Sequence, residues 1–177
     1  MRTEAVDRIT LIFTRFDVDG DGYLESEDFE TMADRVVAAA AGSDDEAKAA
    51  MAAGFRGFWN ALVSNLDTDH DGRIDFAEYT ACVIDPERFD GAIGEFADAL
   101  AALGDPDRDG LIERPLFTAL QTAIGFERPQ IDALFDFLGP DGADRITVPA
   151  WSASIKEYNR PDKAGIAGDV LAHGAPA

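Results

Sequence analysis

The sequence predicts an all-α protein of four helix–loop–helix units, joined in two pairs and packed into one compact unit with short β contacts between paired loops. Three observations predict it. A twelve-residue acidic loop recurs along the chain, apolar residues precede the loops at helical spacing, and an aliphatic residue holds the same place in every copy.

The first loop is residues 17–28, DVDGDGYLESED, with Asp17, Asp19 and Asp21 at alternating positions before Gly22. Residues 67–78, DTDHDGRIDFAE, repeat it through Asp67, Asp69, Asp71 and Gly72. Residues 105–116, DPDRDGLIERPL, do so through Asp105, Asp107, Asp109 and Gly110. A repeat of a few tens of residues decides the architecture before any single motif does.

Asp-x-Asp-x-Asp-Gly alone also suits calcium loops of other folds, so the flanking sequence discriminates. Ile9, Ile12, Phe13 and Phe16 stand 8, 5, 4 and 1 positions before loop 1. Trp59, Leu62, Val63 and Leu66 hold the same offsets before loop 2, which is one face of a helix. Those offsets expose a fourth copy: Ile131, Leu134, Phe135 and Leu138 place a loop at 139–150, GPDGADRITVPA. Before loop 3 the offsets give Ala97, Leu100, Ala101 and Gly104, so Phe96 and Leu103 are expected to supply the packing. Position 8 is Leu24, Ile74, Ile112 and Ile146 in turn. Exiting helices follow with Phe29, Met32, Ala33 and Val36; with Tyr79, Cys82 and Val83; with Leu116, Phe117 and Leu120; and with Trp151, Ile155 and Tyr158, all expected in the core.

A helical flank on each side of a twelve-residue loop makes these EF-hands, in which position 8 couples two loops by a short antiparallel contact. Calcium takes six to eight oxygens, from side chains at positions 1, 3 and 5, the carbonyl of 7, position 9 often through water, and a bidentate Glu at 12, with Gly at 6 for the turn. Loop 2 meets every requirement with Asp67, Asp69, Asp71, the Arg73 carbonyl, Asp75 and Glu78. Loop 1 offers Asp17, Asp19, Asp21, the Tyr23 carbonyl, Glu25 and Asp28. Asp28 is one methylene shorter than Glu, so a monodentate contact is expected, and fewer ligands favour magnesium alongside calcium. Loop 3 keeps Asp105, Asp107, Asp109, Leu111 (through its carbonyl) and Glu113, but Leu116 replaces the closing carboxylate and Pro106 stiffens its start. A retained shape that pairs with loop 4 is the favoured reading there. Loop 4 has only Asp141 and Asp144, with Ala143 at a ligand position, and is expected to bind no metal.

Composition fits this reading. The chain has 177 residues, enough for one compact core, and is 46% hydrophobic, which excludes a disordered acidic tail. The formal net charge of −20 argues against nucleic acid and against anionic membranes as partners. The four loops hold 17 of the 35 acidic residues, so much of the self-repulsion sits where cations would neutralise it. One cysteine, Cys82, permits no internal disulfide. The N-terminus lacks an apolar signal core and no apolar run reaches membrane-spanning length, so the expected location is cytoplasmic.

Loops start at 17, 67, 105 and 139, so the intervals are 50, 38 and 34 residues. The excess in the first falls in alanine-rich residues 38–54, where an extended second helix is expected to turn near Gly42, Ser43, Asp44 and Gly54. Asp85 reads as an N-cap and Pro86 as the first helical residue after it. The division expected is an N-terminal pair at 1–85, a C-terminal pair at 86–158 and a tail at 159–177. So short a join should press the halves together. In the tail, Ile166, Val170 and Leu171 could dock, or the end could fray.

Over roughly residues 4–158, the four-hand plan, DVDGDG and DTDHDG as metal loops, a long first interval and a decayed hand resemble the calerythrin-type bacterial EF-hand proteins. These are similar to sarcoplasmic calcium-binding proteins. The resemblance implies a compact all-α protein that binds calcium, with magnesium as a further cation. Loop 3 departs from the family pattern in lacking its closing carboxylate.

The leading function is an intracellular calcium buffer or signal modulator. The alternative is a sensor that exposes an apolar groove to a protein partner. Sensors open a Met-rich groove, and Met1, Met32 and Met51 are all the chain has, although its 12 Phe could line one. Related compact four-hand folds include photoproteins with a luciferin in a central cavity. A His70 inside loop 2 and a His173 in the tail support that reading poorly, and no nucleophile constellation or phosphate loop points to an enzyme.

Overall fold

A computed structural model describes residues 3–81, 86–158, 160 and 162–173. Hand 1 runs from helix α1 (Thr3–Phe16) through strand β1 (Tyr23–Leu24) into α2 (Ser26–Ala39). Hand 2 is α3 (Asp45–Leu66), β2 (Ile74–Asp75) and α4 (Phe76–Ala81). A short 3-10 turn, Pro86–Phe89, leads into hand 3: α5 (Asp90–Leu103), β3 (Leu111–Glu113) and α6 (Arg114–Ile124). Hand 4 is α7 (Arg128–Phe137), β4 (Arg145–Thr147) and α8 (Val148–Tyr158), and α9 (Ala167–His173) follows.

The two expected β contacts form. β1 pairs antiparallel with β2, setting Leu24 opposite Ile74, and β3 pairs with β4, setting Ile112 opposite Ile146. All four position-8 side chains are buried. Each pair of loops is therefore pinned at its centre by a cross-strand aliphatic contact.

The helical stripes are buried as their spacing requires. Ile9, Phe13 and Phe16 of α1, Leu62 and Leu66 of α3, and Ile131, Leu134 and Phe135 of α7 lie in the core. In α5, Phe96, Leu100 and Leu103 do. The weak stripe position Gly104 has a steric reason. A Cβ there would stand 2.9 Å from Cζ3 of Trp151 and 3.3 Å from Cγ2 of Ile112, so the entry to loop 3 can carry no side chain. The exiting residues Phe29, Met32, Ala33, Val36, Tyr79, Phe117, Leu120 and Trp151 are buried, while Leu116 and Ile155 are partly so. Cys82, Val83 and the proposed cap Asp85 lie outside the described residues.

The halves pack directly on one another. α3 crosses α5 with Gly54 at the crossing, where an added Cβ would lie 3.4 Å from the Phe96 Cα. Phe55 and Phe58 meet the Phe96 ring at centroid distances of 5.0 and 5.8 Å. Aromatic contacts continue through Phe16 and Phe29 (5.0 Å), and, in the other half, through Phe117 to Phe135 (5.0 Å) and Trp151 (4.8 Å).

The long first interval is built differently from the sequence expectation. α2 ends at Ala39 and is no longer than α1; the extra residues go into α3, which has 22. Asp44 is the α3 N-cap, accepting from the Ala47 N–H, so the helix starts there. Gly54, expected as a break, lies inside α3 because the α5 crossing demands a residue without a side chain. Ser43 donates to the Leu103 carbonyl at 2.7 Å, and Arg108 of loop 3 reaches Asp44 at 2.7 Å and Glu46 at 3.2 Å. The inserted segment thus clasps loop 3. The described part of the tail docks: Ala167, Val170 and Leu171 are buried against the body.

Candidate metal centre

Each of loops 1, 2 and 3 turns through the same two left-handed residues. At position 6 stand Gly22 (φ 91°), Gly72 (82°) and Gly110 (84°). At position 4 stand Gly20 (76°), His70 (62°) and Arg108 (58°), so two side-chain-bearing residues accept a conformation that costs them strain. The sequence pattern alone gave no signal for position 4. His70 is exposed, as expected.

This turn aims backbone N–H groups at the aspartates. Gly22, Gly72 and Gly110 donate to Oδ2 of Asp17, Asp67 and Asp105 at 3.0, 3.0 and 2.9 Å. Tyr23, Arg73 and Leu111 donate to Oδ1 of Asp21, Asp71 and Asp109 at 2.9, 2.8 and 2.8 Å. In Asp17 and Asp105 the second oxygen is held as well, accepting from Gly20 and Asp21 at 2.8 and 3.1 Å and from Asp109 at 3.1 Å.

Carboxylate oxygens converge in all three loops. Those of Asp17, Asp19 and Asp28 lie within 4.8 Å of one another, as do those of Asp67, Asp69 and Asp71, and of Asp105, Asp107 and Asp109. In loop 2, Oδ1 of Asp67 is buried and has no hydrogen-bond partner among the described residues. A buried carboxylate oxygen without a partner costs free energy unless a cation meets it. The donor set around it is all oxygen, the chemistry of a hard divalent ion.

The closing residues differ. In loop 2, Oε1 of Glu78 accepts from the Thr68 N–H and hydroxyl, both at 2.8 Å, and Oε2 from the Asp75 N–H at 3.2 Å. Burial raises its pKa, but these bonds outweigh burial and hold the carboxyl below its usual range. Asp75 in turn accepts from the Glu78 N–H. In loop 1, Asp28 is 6% exposed and accepts from the Val18 and Glu25 N–H groups, both at 2.9 Å. There burial prevails and pushes the carboxyl up. Burial also raises Glu25. Hand 1 therefore holds acids that its surroundings do not fully compensate. Arg73 bridges the pair: its guanidinium lies 4.7 Å over the Tyr23 ring and its Nε is 3.4 Å from Glu25.

Loops 3 and 4 use arginine. Nη2 and Nε of Arg145 reach Oδ2 of Asp141 at 2.9 and 3.2 Å, and its Nη1 stands 3.9 Å from Asp109. Arg114 donates to both oxygens of Asp144, at 2.7 and 2.8 Å, and to Asp136 at 2.6 Å. It also lies over the Phe135 ring at 4.2 Å. These bonds hold Asp141 and Asp144 below the usual carboxylate range. Asp144 itself takes the left-handed turn, φ 62°, that Gly makes elsewhere. Loop 4 has thus kept its shape with guanidinium groups on its remaining acids. At loop 3, Leu116 is partly buried against the core.

Residues 6–83 match the family model of the EF-hand domain pair. That stretch, the first two hands, is an EF-hand pair. Over 163 residues it is 25% identical to calerythrin of Saccharopolyspora erythraea, covering 88% of this chain and 92% of that one. Its fold matches a Streptomyces coelicolor calcium-binding protein at a TM-score of 0.72 and 25% identity, over 88% of this chain and 97% of the other. It also matches the amphioxus sarcoplasmic calcium-binding protein at 0.70 and 19% identity over the full length of both. The resemblance holds, in sequence for calerythrin and in fold for the sarcoplasmic protein. Among the described residues no helix is long and apolar enough to cross a membrane.

Proposed function

We propose that loops 1 and 2 each bind one calcium ion, that loops 3 and 4 bind none, and that the protein buffers calcium or modulates a calcium signal. The observation that carries this is the unpartnered, buried Oδ1 of Asp67 within the Asp67–Asp69–Asp71 cluster. Asp67, Asp69, Asp71, the Arg73 carbonyl, Asp75 and Glu78 would hold the ion in loop 2. Asp17, Asp19, Asp21, the Tyr23 carbonyl, Glu25 and Asp28 would hold it in loop 1. The short Asp28, already within the cluster of Asp17 and Asp19, supports a site there that magnesium also occupies.

Residues 1–85, 86–158 and 159–177 are the corresponding functional divisions, a reading supported by the pairing of β1 with β2 and of β3 with β4. A buffer suits the methionines: Met32 and Met51 are buried in the core and line no open groove. A charge of −20 and a single cysteine suit a cytoplasmic protein without nucleic-acid or membrane partners. Calcium titration of the metal-stripped protein in a calorimeter, with and without millimolar magnesium, tests the assignment. Two sites, one weakened by magnesium, are expected. An apolar dye tests the role: its fluorescence stays flat as calcium rises for a buffer, and climbs for a sensor with a protein partner.

A further inference from the structure

α9 is the one part of the fold that neither hand pair requires, and it is seated by unusual chemistry. Arg8 of α1 has a side chain only 1% exposed, and among the described residues its side chain donates to the end of α8 and to the segment that follows it. Its Nε donates to the Tyr158 carbonyl at 2.8 Å, one Nη to the Arg160 carbonyl at 2.7 Å, both Nη to the Lys163 carbonyl at 3.4 Å, and the other Nη to Asp169. Asp169 is the sole carboxylate among these acceptors, and it sits on α9. From α7, Gln130 donates to the Leu171 carbonyl at 2.7 Å, and at the rim His173 meets Asp7 at 2.8 Å. A charged residue at such depth is tolerated because it is paired.

The apolar side of α9 fits less well. Beneath it lies a cavity of about 90 Å3, walled by Phe96, Leu134 and Trp151 below and by Ala167, Gly168 and Leu171 of α9 above. The Gln121 side chain, on a residue 4% exposed, also lines this cavity. At Ala167 the helix presents a small side chain to this space, whereas Gly168 packs closely on Arg8 and Tyr158, where an added Cβ would stand 2.7 Å from each. The groove between α1, α7 and α8 thus offers a buried cation and more apolar volume than its present occupant uses, and unfilled apolar volume is a loss of packing energy.

We propose that this groove is a helix-binding site that α9 occupies as an internal ligand, and that the partner it fits is a short amphipathic helix with an aspartate for Arg8 and a larger apolar residue where α9 has Ala167. Recognition follows the helix-in-groove mode: apolar anchors a turn apart supply affinity, and the Arg8–carboxylate pair supplies register and selectivity. α9 is seven residues long, too short to be stable alone, so release costs its docking contacts and no independent element. The inference does not depend on which loops hold calcium.

The test uses the full-length chain. Asp169→Asn removes the carboxylate while keeping the side chain's size. Amide hydrogen exchange at residues 167–171 should rise at least tenfold, with the protection of α3 and α5 unchanged. Gln130→Ala, which leaves Arg8 untouched, should loosen the same residues and guards against a misfolded first variant. Synthetic peptides of residues 162–173 are then added to 15N-labelled Asp169→Asn protein. The native peptide should bind, the peptide carrying Ala167→Leu should bind several-fold more tightly, and the peptide carrying Asp169→Asn at least tenfold more weakly. Unchanged exchange in both variants would make α9 a fixed part of the core and overturn the proposal. Peptide binding indifferent to Asp169 or Ala167 would overturn the stated partner chemistry. A concentration-dependent dimer without peptide binding would assign the groove to a second copy of the chain instead.

Discussion

Loops 1, 2 and 3 each turn three carboxylates toward a common centre, with Arg73 at the rim of the first pair; loop 4 meets its two acids with Arg114 and Arg145. The β contact does not distinguish the pairs. Both are centred on a cross-strand aliphatic contact, and loop 4 keeps its turn even with Asp144 in place of Gly. The comparison teaches that the paired-loop shape is held by position 8 and the flanking helices, while the loop's charge needs a cation from somewhere. Loop 4 finds its cations within the chain, in Arg114 and Arg145.

The largest effects should come from the shared aliphatic centre. Leu24→Ala and Ile146→Ala each remove a fully buried side chain and should cost about 2–5 kcal/mol in urea unfolding. Calcium should restore part of the loss for Leu24→Ala, because the ion binds only the folded loop, and none for Ile146→Ala. Equal rescue of both would break the distinction between the pairs.

Next come the closing residues. Glu78→Gln should weaken calcium at loop 2 on the order of 100-fold by removing charge and a chelating oxygen. Leu116→Glu supplies loop 3 with the carboxylate it lacks and should raise the calcium count by one. A count that stays the same would show that Arg145, 3.9 Å from Asp109, blocks the ion.

Arg114→Met should lower the unfolding midpoint of the metal-free C-terminal pair, since Asp136 and Asp144 lose their cation. The loss should shrink at high salt, where surface charges are screened.

The pairs should also respond to pH with opposite signs when metal-free. Asp141 and Asp144 have lowered pKa values, so their stabilisation is present above the unfolded carboxyl value of about 3.9 and is lost as pH falls through the folded value. Asp28 is raised by burial, so its contribution is present below the unfolded value and is lost as pH rises through the folded one. Residue-resolved amide exchange across pH 3–6 would show loop 4 opening towards the acid end and loop 1 towards the neutral end. The smallest effect is Arg73→Ala, which keeps the ligand carbonyl and removes a half-exposed ion pair; calcium affinity should change less than about fivefold.

Most of this plan could be read in the sequence because it is local. Loop ligands, the position-8 residue and the entering stripes all lie within about twenty residues of one another, and periodicity places them. What escaped was long-range. Arg8 carries no local sign of burial in the sequence, because its partners lie some 150 residues on. Arg114 and Arg145 carried no sign that they would neutralise loop 4, since the pairing of loops 3 and 4 brings them there. Gly54 read as a break because a glycine inside a helix usually is one; only the crossing with α5 explains it. The clasp of residues 43–46 on loop 3 likewise depended on where the second half would pack.

The central claim is that loops 1 and 2 take ions while loops 3 and 4 do without. Calcium titration of the metal-stripped chain, followed by residue-resolved NMR, reads it directly. Two ions are predicted, with the glycine amides of Gly22 and Gly72 shifting strongly and those of Gly110 and Asp144 staying in place. Three ions with Gly110 shifting, or none at all, would contradict the account.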